Sequence, residues 1–458
     1  MHYNENTKKS RRKWSRRLIY GFSACIAVFF IIGLLFPLRP KNSELEKREL
    51  AQFPAFSFAA LWDGSFFEDV STWFADTFPF REQLLSAQAG VENLYGLKGE
   101  EIYGQTGQTA DEIPAVSQTA PVITTAPTVT DSPVLTPEPI TEPAAETTPE
   151  PENLPDGSIH NIPEVAGTVY IADNRGFEIY YFNHGGADAY ASMINTVKSR
   201  VGSQVNVYDL LAPTNFGVCL DENVQESLGG SSQKDAFNYI YGMLDPSVKQ
   251  VSVYDELVRH NAEYLYYNTD HHWTALGAYY AYRQFAQVKG ITPHALSDYT
   301  EQAYPGFLGT FYAYSNQSEA LKNNPDTVYA YVPIGTNDAT ITNANGSTFV
   351  WNIVNDMSDS SAGLKYNCFI GGDNPYTEIY NPTITDGSSC VIIKESYGNA
   401  FVPFLVDHYQ TIYVIDYRYY QGNLTQFIQE HGVNDLIFLN NADALSERNS
   451  ETILGLFP

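Results

Sequence analysis

An uncharged, largely apolar run from Leu18 to Leu38 follows a tail with seven basic side chains: Lys8, Lys9, Arg11, Arg12, Lys13, Arg16 and Arg17. A run of that length spans a bilayer, and a basic flank stays on the cytoplasmic side. Whatever the rest of the 458 residues folds into must therefore fold beyond Arg39, outside the cell. The rival reading is a cleaved signal peptide, but its apolar region is shorter and ends in small residues, which Phe36-Pro37-Leu38-Arg39 does not supply. Ser23-Ala24-Cys25 has the look of a lipoprotein cleavage site, yet mostly apolar chain follows where polar chain should. The expectation is a basic cytoplasmic tail (1–17), a transmembrane anchor (18–38) and a single-pass type II protein of the plasma membrane.

The net charge of −27 includes that basic tail, so the part beyond it is more acidic still. Such a surface repels nucleic acid and anionic lipid, and no nucleic-acid partner is expected. Cys219, Cys368 and Cys390 are the only cysteines outside the apolar run, which allows one disulfide at most. Their spacing excludes a zinc site built on cysteine pairs.

No Lys or Arg occurs from Glu100 to Asn174, and residues 105–163 are rich in Thr, Pro, Ala and Glu. That composition cannot form a core and reads as a disordered insert, either a surface spacer or a tolerated insertion. Residues 42–104 carry Trp62, Phe66, Phe67, Trp73, Phe74, Phe78 and Phe80, so they are expected to pack as an N-terminal part of the globular unit. Residues 164–458 form the main domain. Val205–Pro213, Val251–Tyr254, Glu263–Tyr267, Cys390–Lys394, Thr411–Tyr417 and Asp435–Asn440 read as strands. Gln233–Leu244, Thr274–Val288, Asn399–His408 and Asn423–His431 read as helices. The alternation predicts an α/β fold with a mostly parallel sheet covered on both faces, and Ser297–Ser389 reads as a β-rich insertion.

Tyr266-Tyr267-Asn268-Thr269-Asp270-His271-His272-Trp273-Thr274 lies between a strand-like run and a helix. In extended chain, residues i and i+2 share a side, so Asp270 and His272 face one cleft and His271 points away. A carboxylate beside an imidazole fixes its tautomer and stabilises the imidazolium, as a general base for a hydroxyl requires. An ordinary turn with polar caps is the plainer alternative. Ser396 ends the apolar strand Cys390–Lys394 and opens a helix, with its own N–H and that of Tyr397 available to a tetrahedral oxyanion. Its plainer alternative is a helix cap. Asn399 is a further oxyanion donor or a cap. Arg418 is a substrate contact or an ion pair with Asp416 or another acid. Trp273 and Tyr397 either stack on a sugar or pack the loop.

The segment Asp270-His271-His272-Trp273-Thr274-Ala275-Leu276-Gly277-Ala278-Tyr279 resembles the hallmark of the bacterial DHHW protein family. Supporting stretches are Glu46-Lys47-Arg48-Glu49-Leu50, Phe78-Pro79-Phe80-Arg81, Gly309-Thr310-Phe311-Tyr312, the Ser396 segment and Ile415-Asp416-Tyr417-Arg418. That family is in turn similar to the periplasmic alginate O-acetyltransferases, whose SGNH-hydrolase-like domains place an Asp-x-His pair before a catalytic serine. The resemblance implies an SGNH-hydrolase-like three-layer sandwich, with Ser396 as nucleophile, His272 as base and Asp270 as orienting acid. Lys394-Glu395-Ser396 departs from the more usual Gly-Asp-Ser. The resemblance also implies a membrane-bound O-acyltransferase as acetyl donor. Neither metal nor cofactor is expected.

The leading expectation is therefore O-acetyl transfer to, or ester hydrolysis on, a cell-surface polysaccharide through an acyl-serine. A manganese-dependent phosphoesterase also uses Asp-His-His, but it needs Asp-rich motifs upstream that the folded region lacks. The remaining alternative is a non-catalytic surface protein that binds polysaccharide or a membrane acyltransferase partner.

Overall fold

The computed structural model describes residues 169–458 without a break, together with 110–114, 154–162, 164–166 and scattered positions between 42 and 78. The tail, the apolar run 18–38 and most of the Thr/Pro-rich stretch lie outside the described residues. Among those described, no helix is long and apolar enough to cross a membrane. The chain divides into two compact units, Met1–Glu101 and Ile102–Pro458. In the first, which contains nearly all of the 42–104 stretch, Phe53 meets Trp73 edge to face at 4.8 Å and Phe74 meets Phe78 at 5.6 Å.

The second unit is built on an eight-stranded sheet. Its strands are β1 (Asn206–Ala212), β2 (Lys249–Gln250), β3 (Asp338–Thr342), β4 (Thr348–Asn352), β5 (Tyr376–Tyr380), β6 (Ser389–Lys394), β7 (Thr411–Asp416) and β8 (Asp435–Asn441). They lie in the order β4-β3-β5-β7-β6-β8-β1-β2. The five from β7 to β2 pair in parallel, while β5, β3 and β4 add antiparallel pairings at one side. Every residue of β6 and β8 is buried. A strand covered on both faces has no polar side to show, so Cys390 to Ile393 reads as a continuous apolar run rather than an alternation.

The covering helices are α1 (His184–Val201), α2 (Gln233–Gly242), α3 (Ala275–Lys289), α4 (Gly398–Leu405), α5 (Leu424–His431) and α6 (Glu447–Gly455). Neighbouring residues on a strand point to opposite faces. On β1, Tyr208 meets Phe285 of α3 with ring centroids 5.1 Å apart, and Asp209 accepts a 2.6 Å bond from Tyr190 of α1. Helices α1 and α3 therefore cover opposite faces of the sheet, with α2 and α6 packed beside α1 and α4 beside α3. Thr274 caps α3 by accepting from the Gly277 N–H, and Gly290 ends it in the left-handed conformation that favours glycine.

Several expectations need correction. Only Lys249–Gln250 forms the outer strand β2; its last ladder bond runs from Val251 N–H to Asp209 O, and a helix starts at Tyr254. Glu263–Tyr267 forms no strand; it lies in turns closed by an isolated bridge between Tyr266 and Trp273. The β-rich segment does not stand apart, since β3, β4 and β5 extend the main sheet and only Thr300–Phe307 and Asp326–Val332 form a separate ladder. Helices α1 and α6 were not expected. The ends of the Thr/Pro-rich stretch dock onto the folded unit: Asp111 N–H donates to Phe182 O, Ile113 packs on the core, and Ile159 is buried in a bridge with Leu220.

Burial pushes the Asp209 carboxyl up to about 7, against the bond from Tyr190. Its folded value lies above the unfolded one, so its contribution to stability is complete below about pH 4 and is lost as pH rises to about 7. Asp209→Asn removes this dependence. Chemical denaturation across pH should show the wild type losing stability relative to the variant by about 1.4 kcal/mol per pH unit within that window, and parallel curves would contradict the assignment.

Candidate active site

Among the described residues the loop 268–272 has no ladder to pair its backbone, and side-chain carboxylates take that role. Asp326, at the start of the separate ladder, accepts from Asn268 N–H at 2.8 Å and from Thr269 N–H and Oγ1 at 2.7 and 2.6 Å. Asp270 is fully buried. Its Oδ1 accepts from the His272 N–H at 3.1 Å, an Asx-type turn, and lies 2.5 Å from His272 Nδ1. Its Oδ2 accepts from Thr310 N–H at 2.8 Å and Thr310 Oγ1 at 3.1 Å. Gly309 permits that approach, since a Cβ there would sit 2.2 Å from the Asp270 carboxylate.

His272 Nε2 lies 2.7 Å from Ser396 Oγ. The carboxylate, imidazole and hydroxyl thus form one continuous chain of hydrogen bonds, built from a turn and from the carboxyl end of β6. Ser396 is the one partly exposed residue between Cys390 and Ala400. Tyr366, on the short 3-10 turn 362–368, stacks on His272 with centroids 4.0 Å apart and planes at 14°. Its hydroxyl donates to Ser396 O at 2.9 Å. One buried ring thus holds both the imidazole and the serine backbone.

His271 does not point away as an extended loop predicts. Because the loop bends, its ring tilts over that of His272 at 3.9 Å, and its Nδ1 lies 2.6 Å from Thr310 Oγ1. Asp270, His271 and His272 could present ligand atoms to a metal ion within 4.8 Å of one another. Yet Asp270 Oδ1 and His272 Nδ1 are already bonded at 2.5 Å, which leaves no room for an ion between them.

The serine turn is tied down by Glu395, whose role was missed from sequence. Its Oε2 accepts from Tyr397 N–H at 3.0 Å and lies 3.2 Å from Ser396 Oγ, while Oε1 accepts from Asn441 N–H at 3.1 Å. The Tyr397 N–H is therefore occupied and is not the free oxyanion donor expected of it. Among the described residues the Ser396 N–H has no hydrogen-bond partner. Burial pushes the Glu395 carboxyl up, with Arg418 pulling the other way.

Trp273 and Tyr397 are fully buried and offer no ring to a sugar. Trp273 Nε1 donates to Tyr397 O at 2.9 Å and the Tyr397 hydroxyl to His271 O at 2.5 Å, so both pack the loop against the serine turn. Arg418 forms the ion pair with Asp416, through Nε at 2.9 Å and Nη2 at 2.7 Å, and also pairs with Asp373 at 2.8 Å. Lys394, fully buried at the end of β6, bonds Asp416 at 2.8 Å and lies 3.4 Å from Asp373. Asn399 Nδ2 donates to Asp373 at 2.8 Å. Burial alone would raise the Asp373 carboxyl, but Lys394 and Arg418 hold it well below the usual carboxylate range. Asp373 and Tyr366 lie in the β-rich segment, where spacing gave no signal. Thr310 lay in a recognised stretch without an assigned role.

The family model described as DHHW protein matches residues 46–120 and 134–415. No curated protein matches the chain. Among solved structures, a DHHW family protein from Eubacterium siraeum is 34% identical with a TM-score of 0.58, covering 63% of this chain and 95% of that one. PatB1 of Bacillus cereus, solved with a sulfonyl adduct, is 18% identical with a TM-score of 0.51, covering 61% of this chain and 95% of its own. At that identity the second likeness speaks to the fold alone. The family match spans most of the chain and takes in both the Asp270–His272 loop and Ser396, and the chain belongs to the DHHW protein family.

Proposed function

We propose that this protein is an extracytoplasmic O-acetyltransferase or acetylesterase that acts on a cell-surface polysaccharide through an acyl-Ser396 intermediate on an SGNH-hydrolase-like three-layer scaffold. The observation that carries the reading is the relay from Asp270 Oδ1 to His272 Nδ1 at 2.5 Å and from His272 Nε2 to Ser396 Oγ at 2.7 Å. Acetyl as the acyl group rests on the resemblance of the motif to the alginate O-acetyltransferases. The outward placement rests on the basic tail and the apolar run 18–38, and a membrane-bound O-acyltransferase is the proposed donor.

In the first half-reaction Ser396 Oγ attacks the acyl carbonyl as its proton passes to His272 Nε2, and Asp270 stabilises the resulting imidazolium through Nδ1–H. The Ser396 N–H is the backbone donor left for the oxyanion. Collapse expels the leaving oxygen, which takes the proton from Nε2. In the second half-reaction a sugar hydroxyl, or water, gives its proton to the same nitrogen and attacks the acyl-serine; the bond from the acyl carbon to Ser396 Oγ then breaks, and Oγ takes the proton back from Nε2. Tyr366 keeps the imidazole plane and the serine backbone in register throughout.

Hydrolysis of p-nitrophenyl acetate and acetyl transfer to a model sugar acceptor test this reading in the full chain. Ser396→Ala and His272→Ala should each lose about 10³-fold or more in kcat/KM. His271→Ala should lose far less activity and mainly stability, by about 1–3 kcal/mol. A folded Ser396→Ala variant with wild-type activity would refute the mechanism.

Tyr366 separates packing from registration. Tyr366→Phe keeps the stack and removes one hydrogen bond, so kcat should fall about fivefold. Tyr366→Ala removes both and should lower kcat by about 10²-fold with KM little changed. A loss confined to KM would contradict the positioning role.

A further inference from the structure

The outer strand β4 is exposed along all five residues, and among the described residues one of its edges has no neighbour in the sheet. It carries Phe349, Val350 and Trp351, exposed by 38%, 71% and 46%. Large apolar side chains gathered at an uncapped edge are unusual, since such edges are normally blunted with charge or proline. Phe349 stands opposite Ile341 and Trp351 opposite Ala339 on β3, and both of those partners are buried. The two rings therefore continue the core face of the sheet past its covering layer. They meet edge to face at 5.9 Å.

A short turn links this aromatic step to residues beside Ser396. Gly371 lies against the Trp351 indole, where a Cβ would come within 3.1 Å of Cδ1 and Nε1. Ile370, Gly371 and Gly372 have φ of 48°, 71° and 86°. For a β-branched residue such as Ile370 that conformation is strained, and strain of this kind gathers at sites where the chain must take one particular course. Here it delivers Asp373 to Lys394, Arg418 and Asn399, and Lys394 and Asn399 flank Ser396 in sequence. One short turn thus has the Trp351 indole at one end and the serine's neighbours at the other.

The chemistry of the surroundings selects the occupant. From 323 to 364 there is no Lys or Arg, and the hairpin 338–352 carries a single charge, Asp338, among many Asn, Ser and Thr residues. An anionic polymer would find no cation on the hairpin and would meet a chain of net charge −27. A second copy paired along five residues falls well short of the roughly 800 Å² per partner of a stable interface. A pyranose ring has one face of C–H bonds and a rim of hydroxyls, which matches half-exposed rings bordered by uncharged amides and hydroxyls.

We infer that Phe349 and Trp351 form a stacking subsite for an uncharged glycan chain, from which the chain reaches Ser396 past Gly371 and Asp373. The inference rests on the proposed function only for the glycan's role as acceptor. To read binding without turnover, the full chain carrying Ser396→Ala is titrated in mild detergent with a soluble β-glucan, a chito-oligosaccharide and a polyuronate. It should bind at least one of the uncharged polymers more tightly than the polyuronate. Trp351→Ala in that background should weaken binding at least tenfold, Trp351→Tyr should stay within about threefold because a ring remains, and Val350→Ala on the opposite face should leave it unchanged. Circular dichroism and the thermal midpoint establish that each variant is folded, and Trp351→Tyr keeps the test valid should the alanine variant fail to fold, because loss of binding with a ring still in place overturns the inference. So do undiminished binding by a folded Trp351→Ala, no binding to either uncharged polymer, tighter binding to the polyuronate, or a wild-type dimer that Trp351→Ala dissociates in sedimentation velocity. Failure of acetyl transfer with binding intact would instead refute the proposed function alone.

Discussion

A carboxylate removed from water must find its hydrogen bonds inside the protein, and Asp270 finds them on two sides of one loop. On one side it takes both the backbone N–H and Nδ1 of His272; on the other it takes the N–H and hydroxyl of Thr310. Asp326 does the same for Asn268 and Thr269, and Glu395 for Tyr397 and Asn441. Segments with no ladder of their own are thereby held as firmly as strands. Their partners come from distant parts of the sequence, so the geometry of Ser396 depends on the whole domain being folded. Loss of any one carboxylate would leave backbone donors unpaired in a dry interior, where each costs about 1–3 kcal/mol.

Beside this relay lies a second arrangement of charge. Lys394 and Asp416 end neighbouring parallel strands and are both fully buried, with Arg418 and Asp373 closing the group. A buried pair of this kind adds little net stability, but breaking one partner leaves an uncompensated charge and typically costs about 3–5 kcal/mol. It joins the carboxyl ends of β6 and β7 to the β-rich segment through Asp373. Lys394-Glu395-Ser396 thus departs from Gly-Asp-Ser with a structural consequence. Lys394 anchors the network while Glu395 straps the serine turn to the end of β8.

Much of the scaffold was legible in the sequence because burial leaves a mark. β1, β6, β7 and β8 are covered on both faces and read as apolar runs, and α3 is bracketed by Thr274 and Gly290. The pairing of Asp270 with His272 followed from spacing, and Ser396 from its place between strand and helix. What was not legible depends on partners remote in sequence. Helix α1 contains two glycines and several Asn, Ser and Thr residues, so packing rather than propensity makes it a helix. Glu263–Tyr267 has strand-like residues, but among the described residues its pairing goes no further than the isolated bridge between Tyr266 and Trp273. The orientation of His271 over Thr310, the bond from the Asn441 N–H to Glu395 and the stacking of Tyr366 all arise from tertiary contacts that no local pattern encodes.

The central claim is that Ser396 carries the acyl group, and that state can be observed directly. The full chain is exposed to p-nitrophenyl acetate, quenched in acid and digested, and the peptide that contains Ser396 is read by mass spectrometry. One acetyl group is expected, located on Ser396 and absent when His272 is replaced by Ala. Acetylation on another residue, or on Ser396 to the same extent without His272, would contradict it.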